Sequence, residues 1–186
     1  MKYLIVGLGN IGLEYELTRH NIGFLTLDQL ADKFNAPFET DRLAFQASFK
    51  YKSRSIYMIK PTTYMNLSGK AVNFWMKELK ITKENVLVVV DDIALPFGNL
   101  RMRAKGSAAG HNGLKNIELL TGGNNYPRLK FGVGDTFHSG KQVDCVLSNF
   151  SKDEFAELPL KIDKAIDMIL GFCSIGIQRT MNQFND

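Results

Sequence analysis

Short apolar runs and alternating stretches along the chain predict six β-strands. Tyr3–Val6 and Val86–Val90 are unbroken apolar runs, which is typical of strands buried on both faces of a sheet. The alternating stretches predict strands at 43–50, 55–60, 100–103 and 128–133. A polar turn at 52–54 separates the first two of these, so a hairpin is expected there.

Four stretches between the strands have apolar residues at helical spacing. They lie near 22–34, 71–79, 114–120 and 152–172, and a last short helix is expected within 174–183. Pro159 is expected to interrupt the fourth helix, and Asn66 or Ser68 to cap the second. Because strands and helices alternate, the sequence predicts one α/β domain over residues 1–186. Its central sheet is expected to be mixed and mostly parallel, with helices on both faces.

Composition is that of an ordinary globular protein, with 45% hydrophobic and 23% charged residues among 186. No apolar run reaches the length of a membrane span, and Met1-Lys2 leads straight into a strand rather than a signal peptide. Cys145 and Cys173 have no metal-ligand spacing, which favours a reducing, cytoplasmic location. The net charge of +4 weakly favours a polyanionic partner.

Gly7, Gly9 and Gly12 spell G-x-G-x-x-G, the fingerprint of dinucleotide-binding domains. That motif requires a helix at the glycines and an acidic residue about 20 positions later, after a second strand. The candidate acids Asp28 and Asp32 lie instead inside the first helical pattern. A nucleotide-dependent oxidoreductase is therefore the less favoured alternative.

His20 follows the glycine-rich loop and is the candidate general base, since an imidazole titrates near neutral pH. Asp91 ends the buried run at 86–90, where open α/β sheets place functional groups, and can orient a histidine. His138 lies in a polar loop and is expected to be solvated. Ser107 is not the central residue of a nucleophile elbow, so the nucleophile expected for a His20–Asp91 pair is water.

Four asparagines lie at predicted loops or helix starts: Asn10, Asn21, Asn66 and Asn112. Turn and cap chemistry accounts for any one of them. Together they can line a pocket of neutral amides suited to carbonyl groups or a developing oxyanion. Phosphate contacts would fall to basic residues on two strands and the following loop, namely Arg101, Arg103, Lys105, Arg128 and Lys130. The alternative for these cations is a solvated sheet edge.

Four blocks of sequence resemble the bacterial peptidyl-tRNA hydrolases. They are GLGNIGLEYELTRHNIG (7–23), KPTTYMNLSG (60–69), DDIALPFGNLRMR with GSAAGHNGLKNI (91–117) and YPRLKFGVGD (126–135). The resemblance implies a monomeric α/β enzyme without metal or cofactor. Its reaction is hydrolysis of the ester between a peptide and the 3′-terminal ribose of tRNA. The implied partner is peptidyl-tRNA, contacted at its 3′ end, acceptor stem and 5′-phosphate, with no membrane.

The resemblance also implies roles for individual residues. His20 corresponds to the catalytic base, Asp91 to its supporting carboxylate, and Asn10 to the asparagine that reads the blocked amino group. Residues around the bound peptide and 3′ end correspond to Tyr15, Tyr64, Met65, Asn66 and Asn112. Arg103 and Lys130 correspond to a basic pair that clamps the 5′-phosphate.

Three positions depart from the family pattern. Ile11 replaces a usual proline, Ala109 a common glycine, and Lys130 a common arginine; the last loses the bidentate fork of a guanidinium. A non-catalytic RNA-binding module that uses only the basic strands is the remaining alternative. It would bind tRNA without turning it over.

Overall fold

A computed structural model of the chain describes residues 1–134 and 142–186, and the expectation for His138 lies outside these residues. Within these two ranges seven strands form one sheet: β1 (Lys2–Gly7), β2 (Glu39–Asp41), β3 (Ala44–Tyr51), β4 (Arg54–Pro61), β5 (Val86–Asp92), β6 (Leu100–Arg103) and β7 (Arg128–Gly132). The six predicted strands are confirmed, and the short β2 was not predicted. β3 and β4 form the expected hairpin through Lys52 and Ser53, which both have positive φ.

The strand order across the sheet is β2-β3-β4-β1-β5-β7-β6. The four central strands β4, β1, β5 and β7 are parallel, whereas β2–β3, β3–β4 and β6–β7 pair antiparallel. The predicted mixed sheet is confirmed, but "mostly parallel" describes only its centre. The hairpin at one edge and the returning β6 at the other make half of the pairings antiparallel.

Six α-helices in the described residues accompany the sheet: α1 (Ile22–Lys33), α2 (Ser68–Leu79), α3 (Asn112–Thr121), α4 (Gln142–Val146), α5 (Lys152–Ser174) and α6 (Ile177–Phe184). Apolar residues of α1 and α5 pack on one face of the sheet, and those of α2 and α3 on the other. Helices on both faces are thus confirmed. No helix in the described ranges combines the length and apolarity needed to cross a membrane.

Two local predictions about helices are wrong. α5 continues through Pro159, because a proline removes only one hydrogen bond and the apolar face of this helix is buried along its length. Neither Asn66 nor Ser68 caps α2, which begins without a side-chain cap after the 3₁₀ turn Met65–Leu67. The Ser68 hydroxyl donates instead to the Met65 carbonyl at 2.7 Å.

The parallel centre of the sheet gathers the candidate residues at one edge. The loop with Asn10 follows β1, Asp91 lies near the end of β5, and the segment with Tyr64 to Asn66 follows β4. Because parallel strands end at the same edge, residues distant in sequence meet there.

Candidate active site

His20 and Asp91 are in direct contact. His20 lies in the 3₁₀ turn Arg19–Asn21 that leads into α1, and its Nδ1 is 2.9 Å from both carboxylate oxygens of Asp91. The Asp91 side chain is 2% exposed and that of His20 is 13% exposed. The pair that the sequence suggested is therefore assembled with a buried carboxylate and an accessible imidazole.

His111 is a second partner of Asp91 that sequence reasoning missed. Its Nε2 lies 2.9 Å from Asp91 Oδ1, while its Nδ1 accepts the backbone N–H groups of Gly113 and Leu114 at 3.1 and 3.3 Å. A neutral imidazole whose Nδ1 accepts must carry its proton on Nε2. His111 therefore donates to Asp91 and caps α3 with the same ring.

The contacts between Asp91 and the two histidines determine the ionisation of Asp91 and the tautomer of His20. Burial would raise the pKa of the Asp91 carboxyl, but the hydrogen bonds of His20 and His111, together with their positive charge when they are protonated, hold that pKa below its usual range. An ionised Asp91 accepts from the Nδ1–H of His20, which leaves the lone pair of the neutral ring on Nε2. A histidine in this tautomer can take a proton from water.

The same three side chains have ligand atoms within 4.8 Å of one another, as a metal site would. The position of the proton on the His111 ring argues against metal binding. A metal on His111 Nε2 would force the ring proton onto Nδ1, which already accepts two N–H groups at the start of α3. The donor set fits a metal poorly.

Asn10 is held by the chain on three atoms. Its backbone N–H and C=O bond to the side chain of Asn21 at 2.8 and 2.9 Å, and its Oδ1 accepts the Met65 N–H at 2.7 Å. Within the described ranges, no atom accepts a hydrogen bond from Asn10 Nδ2. Asn10 Nδ2 is therefore available as a hydrogen-bond donor. Met65, whose side chain is buried, holds the other end of the amide through its backbone N–H.

Arg19 anchors the turn that carries His20. Its guanidinium contacts both carboxylate oxygens of Glu154 at 2.9 and 3.0 Å and donates to the Val133 carbonyl at 3.1 Å. Glu154 also completes the capping box of α5 with Ser151. The start of α5 and the His20 turn are thus joined by a bidentate, mostly buried ion pair.

A cleft of about 670 Å³, open to solvent, lies beside these groups. Polar and charged residues on its wall include His20, Asp91, Asp92, His111, Asn112 and Lys130, and apolar ones include Ile93, Val143 and Val146. The structure thus brings four of the predicted site residues to one cavity. A mixed lining of this kind suits an organic substrate with a few polar groups.

The other six predicted residues, Asn10 and Met65 among them, lie outside that lining. Asn66 is exposed, Tyr15 is half-buried, and Arg103 is exposed on β6. Tyr64 is 51% exposed and has φ of +61°, a left-handed backbone that is costly for tyrosine and common at binding sites. In the described part of the chain the amides of Asn66 and Asn112 make no hydrogen bond to protein, so both are available to a ligand.

The basic strands β6 and β7 are neighbours, as the phosphate-clamp hypothesis requires. Arg101 pairs with Lys130 and Arg103 with Arg128. Arg103 and Lys130 are therefore diagonal neighbours on one face, which puts their Cα atoms about 7–8 Å apart. Lys130 Nζ is 3.7 Å from Asp92 Oδ2. Arg128 is fully buried and donates to the carbonyls of Gly106 and Asn124, among others, so it is structural.

The glycine-rich loop does not have the geometry of a dinucleotide site. Gly12 leads into the 3₁₀ turn Leu13–Tyr15 rather than a helix. Gly7 is needed for packing, since a Cβ there would lie 2.4 Å from the Gly23 carbonyl oxygen of α1. Ala109, at a position where glycine was expected, has φ of +49°, a conformation that costs a non-glycine residue about 1–2 kcal/mol.

Comparison with known proteins gives one consistent result. A family model described as peptidyl-tRNA hydrolase matches residues 4–186. Peptidyl-tRNA hydrolases of Cytophaga hutchinsonii and Bacteroides fragilis are 56% and 51% identical, covering 100% of this chain and 98% and 99% of theirs. The crystal structure of peptidyl-tRNA hydrolase from Acinetobacter baumannii is similar with a TM-score of 0.92 and 32% identity, over 98% of this chain and 94% of that one.

Proposed function

Because this chain belongs to the peptidyl-tRNA hydrolase family and hydrolyses the ester bond of peptidyl-tRNA, we propose that His20 is the base that activates the attacking water. The observation that carries this proposal is the bridging of His20 and His111 by the buried Asp91. The bridge leaves His20 Nε2 as the proton acceptor beside the cleft. The alternative of an oxidoreductase finds no support in the glycine-rich loop.

In the proposed reaction, His20 Nε2 takes a proton from water as the water oxygen attacks the ester carbonyl carbon. Asp91 stabilises the imidazolium that forms, since it accepts from Nδ1 and keeps its negative charge. When the tetrahedral intermediate collapses, the 3′-oxygen of the ribose leaves and takes the proton back from Nε2. The products are a peptide with a free carboxylate and tRNA with a free 3′-hydroxyl.

Amide groups of the site would bind the substrate carbonyls. Asn10 presents N–H donors to the substrate, because the Met65 N–H holds its Oδ1 and Nδ2 has no hydrogen-bond partner in the described ranges. A donor suits the carbonyl of an N-acyl group and has nothing to offer a free α-ammonium, which itself only donates. Such a group therefore favours peptidyl-tRNA over aminoacyl-tRNA. Asn66 and Asn112 would contact the peptide in the same way.

The remaining contacts would hold the tRNA. We place Tyr15 and Tyr64 near the 3′ end and the cations Arg103 and Lys130 on the 5′-phosphate. A phosphate contact positions the acceptor stem without taking part in chemistry. We further propose that the enzyme is a monomer and that it acts in the cytoplasm, where its tRNA substrate is produced.

Single-turnover hydrolysis of N-acetyl-aminoacyl-tRNA tests the role of His20. His20→Ala should reduce the rate by about 10²–10⁴, while tRNA affinity stays within about twofold because the phosphate contacts are elsewhere. Thr26→Val, in α1 and outside the cleft lining, is the control and should leave the rate unchanged. A folded His20→Ala enzyme with a near-normal rate would remove His20 from the mechanism.

A further inference from the structure

The Asn21 side chain forms an unusual two-point contact with another residue's backbone. Asn21 Oδ1 accepts the Asn10 N–H at 2.8 Å, and Asn21 Nδ2 donates to the Asn10 carbonyl at 2.9 Å. The amide thus pairs with both backbone groups of one residue, as a neighbouring strand would. Asn21 is 2% exposed, so this contact is shielded from water.

Helix capping does not account for Asn21. It occupies the position before α1, where an asparagine side chain ordinarily accepts from the first turn, yet it makes no cap bond. Its hydrogen-bonding capacity is spent on Asn10, eleven residues earlier. In the described chain these are also the only hydrogen bonds that the Asn10 backbone makes.

The contact joins the two halves of the proposed site. Asn21 directly follows His20 in the same 3₁₀ turn, so one peptide unit separates the base from the group that holds Asn10. Asn10 lies in a segment without regular structure after β1. A rigid link of this kind sets the position of the Asn10 Nδ2 donors relative to His20 Nε2.

We propose that Asn21 is a positioning residue for the hydrolysis, acting through Asn10 and not through the substrate. The inference rests on the proposed function of Asn10 as a donor to the substrate carbonyl. Without Asn21 both backbone groups of Asn10 lose their partners, and the donor loses its fixed place. A misplacement of about 1 Å can cost about 10²-fold in rate.

If Asn21 acts through Asn10, its replacement should affect the rate of hydrolysis and not the binding of tRNA. Asn21→Ala should lower kcat by about 10–100-fold with little change in KM for tRNA, since phosphate contacts are untouched. The pH dependence of the reaction should keep its midpoint, because the His20–Asp91 contact remains. A merely destabilising substitution would lower the melting temperature without this kcat effect.

A double-mutant cycle makes the test decisive. Asn10→Ala, Asn21→Ala and the double variant are compared for kcat and for melting temperature. If Asn21 acts through Asn10, the double variant should be no slower than Asn10→Ala alone. Additive losses in kcat, or a shifted pH midpoint, would overturn the proposal.

Controls separate this inference from the proposed function. Thr26→Val removes a fully buried hydroxyl that bonds to the Ile22 carbonyl in α1, so it should reduce stability but not kcat. If Asn21→Ala fails to fold, Asn21→Ser keeps one uncharged hydrogen-bonding group and enters the same cycle. A slow Asn10→Ala with a normal Asn21→Ala would refute the positioning role alone. A normal Asn10→Ala would refute the donor role of Asn10, and the inference with it.

Discussion

Replacing Asp91 by asparagine should inactivate the enzyme by changing a tautomer. His111 can only donate to residue 91, because its Nδ1 is occupied by the first turn of α3. The carbonyl oxygen of an asparagine at position 91 must therefore take the place of Oδ1, which is 2.9 Å from both histidines, and its NH₂ group takes the place of Oδ2, which among the described residues contacts only His20. We expect this NH₂ group to donate to His20 Nδ1, which moves the ring proton to Nε2 and removes the base.

The structure sets the size of the expected loss. Asp91 contributes both the tautomer and the stabilisation of the imidazolium, so Asp91→Asn should be about as slow as the His20→Ala variant. That is a reduction of about 10²–10⁴ in rate, or about 3–5 kcal/mol of transition-state stabilisation. Binding of tRNA should change little, since the Asp91 side chain is buried and its contacts are to His20 and His111.

Single-turnover hydrolysis of N-acetyl-aminoacyl-tRNA measures the rate, and ¹⁵N chemical shifts of the His20 ring report which nitrogen carries the proton. The matched control is Asp92→Asn, which removes the adjacent carboxylate without touching either histidine. It should keep the wild-type rate within a few-fold. An Asp91→Asn enzyme that retains the Nδ1–H tautomer, or one that is no slower than Asp92→Asn, would refute the reasoning.

Three further predictions follow from the site. Asn10→Asp and Asn66→Asp exchange donors for a negative charge, so specific activity should fall at least about tenfold with the fold retained; a lower melting temperature with normal activity would favour a turn-forming role. The double variant of Arg103 and Lys130 to alanine should weaken use of full tRNA and lower the salt slope of binding by about 1 per contact, yet still cleave a short ester-linked fragment normally. Equal losses on both substrates would contradict the clamp. Because the folded-state pKa of Asp91 is lowered, its ionised form stabilises the fold above about pH 4 and that stability disappears as the pH falls further. Acid unfolding should therefore be less steep in Asp91→Asn, and equal curves for both proteins would be inconsistent with the lowered pKa.

Most of the strands and helices were predictable because an element that is buried on one or both faces needs apolar residues at a regular local spacing. The runs at Tyr3–Val6 and Val86–Val90 became the two strands at the centre of the sheet. Pairing is not local, however, and nothing in the apolar pattern of 100–103 shows that this strand returns antiparallel beside β7. The effect of Pro159 was also misjudged, since tertiary packing of α5 outweighs one lost hydrogen bond.

The site was predicted in part for the same reason. His20 and Asp91 stand out through their local neighbours, a glycine-rich loop and the end of a buried strand. His111 has a sufficient local explanation as the residue before a helix, and its contact with Asp91 spans 20 positions. Its position beside Asn112, already a candidate, was the one available signal. Asn21 shows the same difficulty, since only the folded chain shows it bonded to Asn10.

The double use of the His111 ring makes the start of α3 and the active-site carboxylate one cooperative unit. If the first turn of α3 unwinds, the ring loses the N–H groups that fix its tautomer, and Asp91 loses a donor at the same moment. If Asp91 supports the base as proposed, local opening of this turn should also inactivate the enzyme transiently. The rate of hydrogen exchange at the amides of Gly113 and Leu114 would give the free energy of that opening. Exchange at these two amides therefore reports how much of the time the contact between His111 and Asp91 is formed.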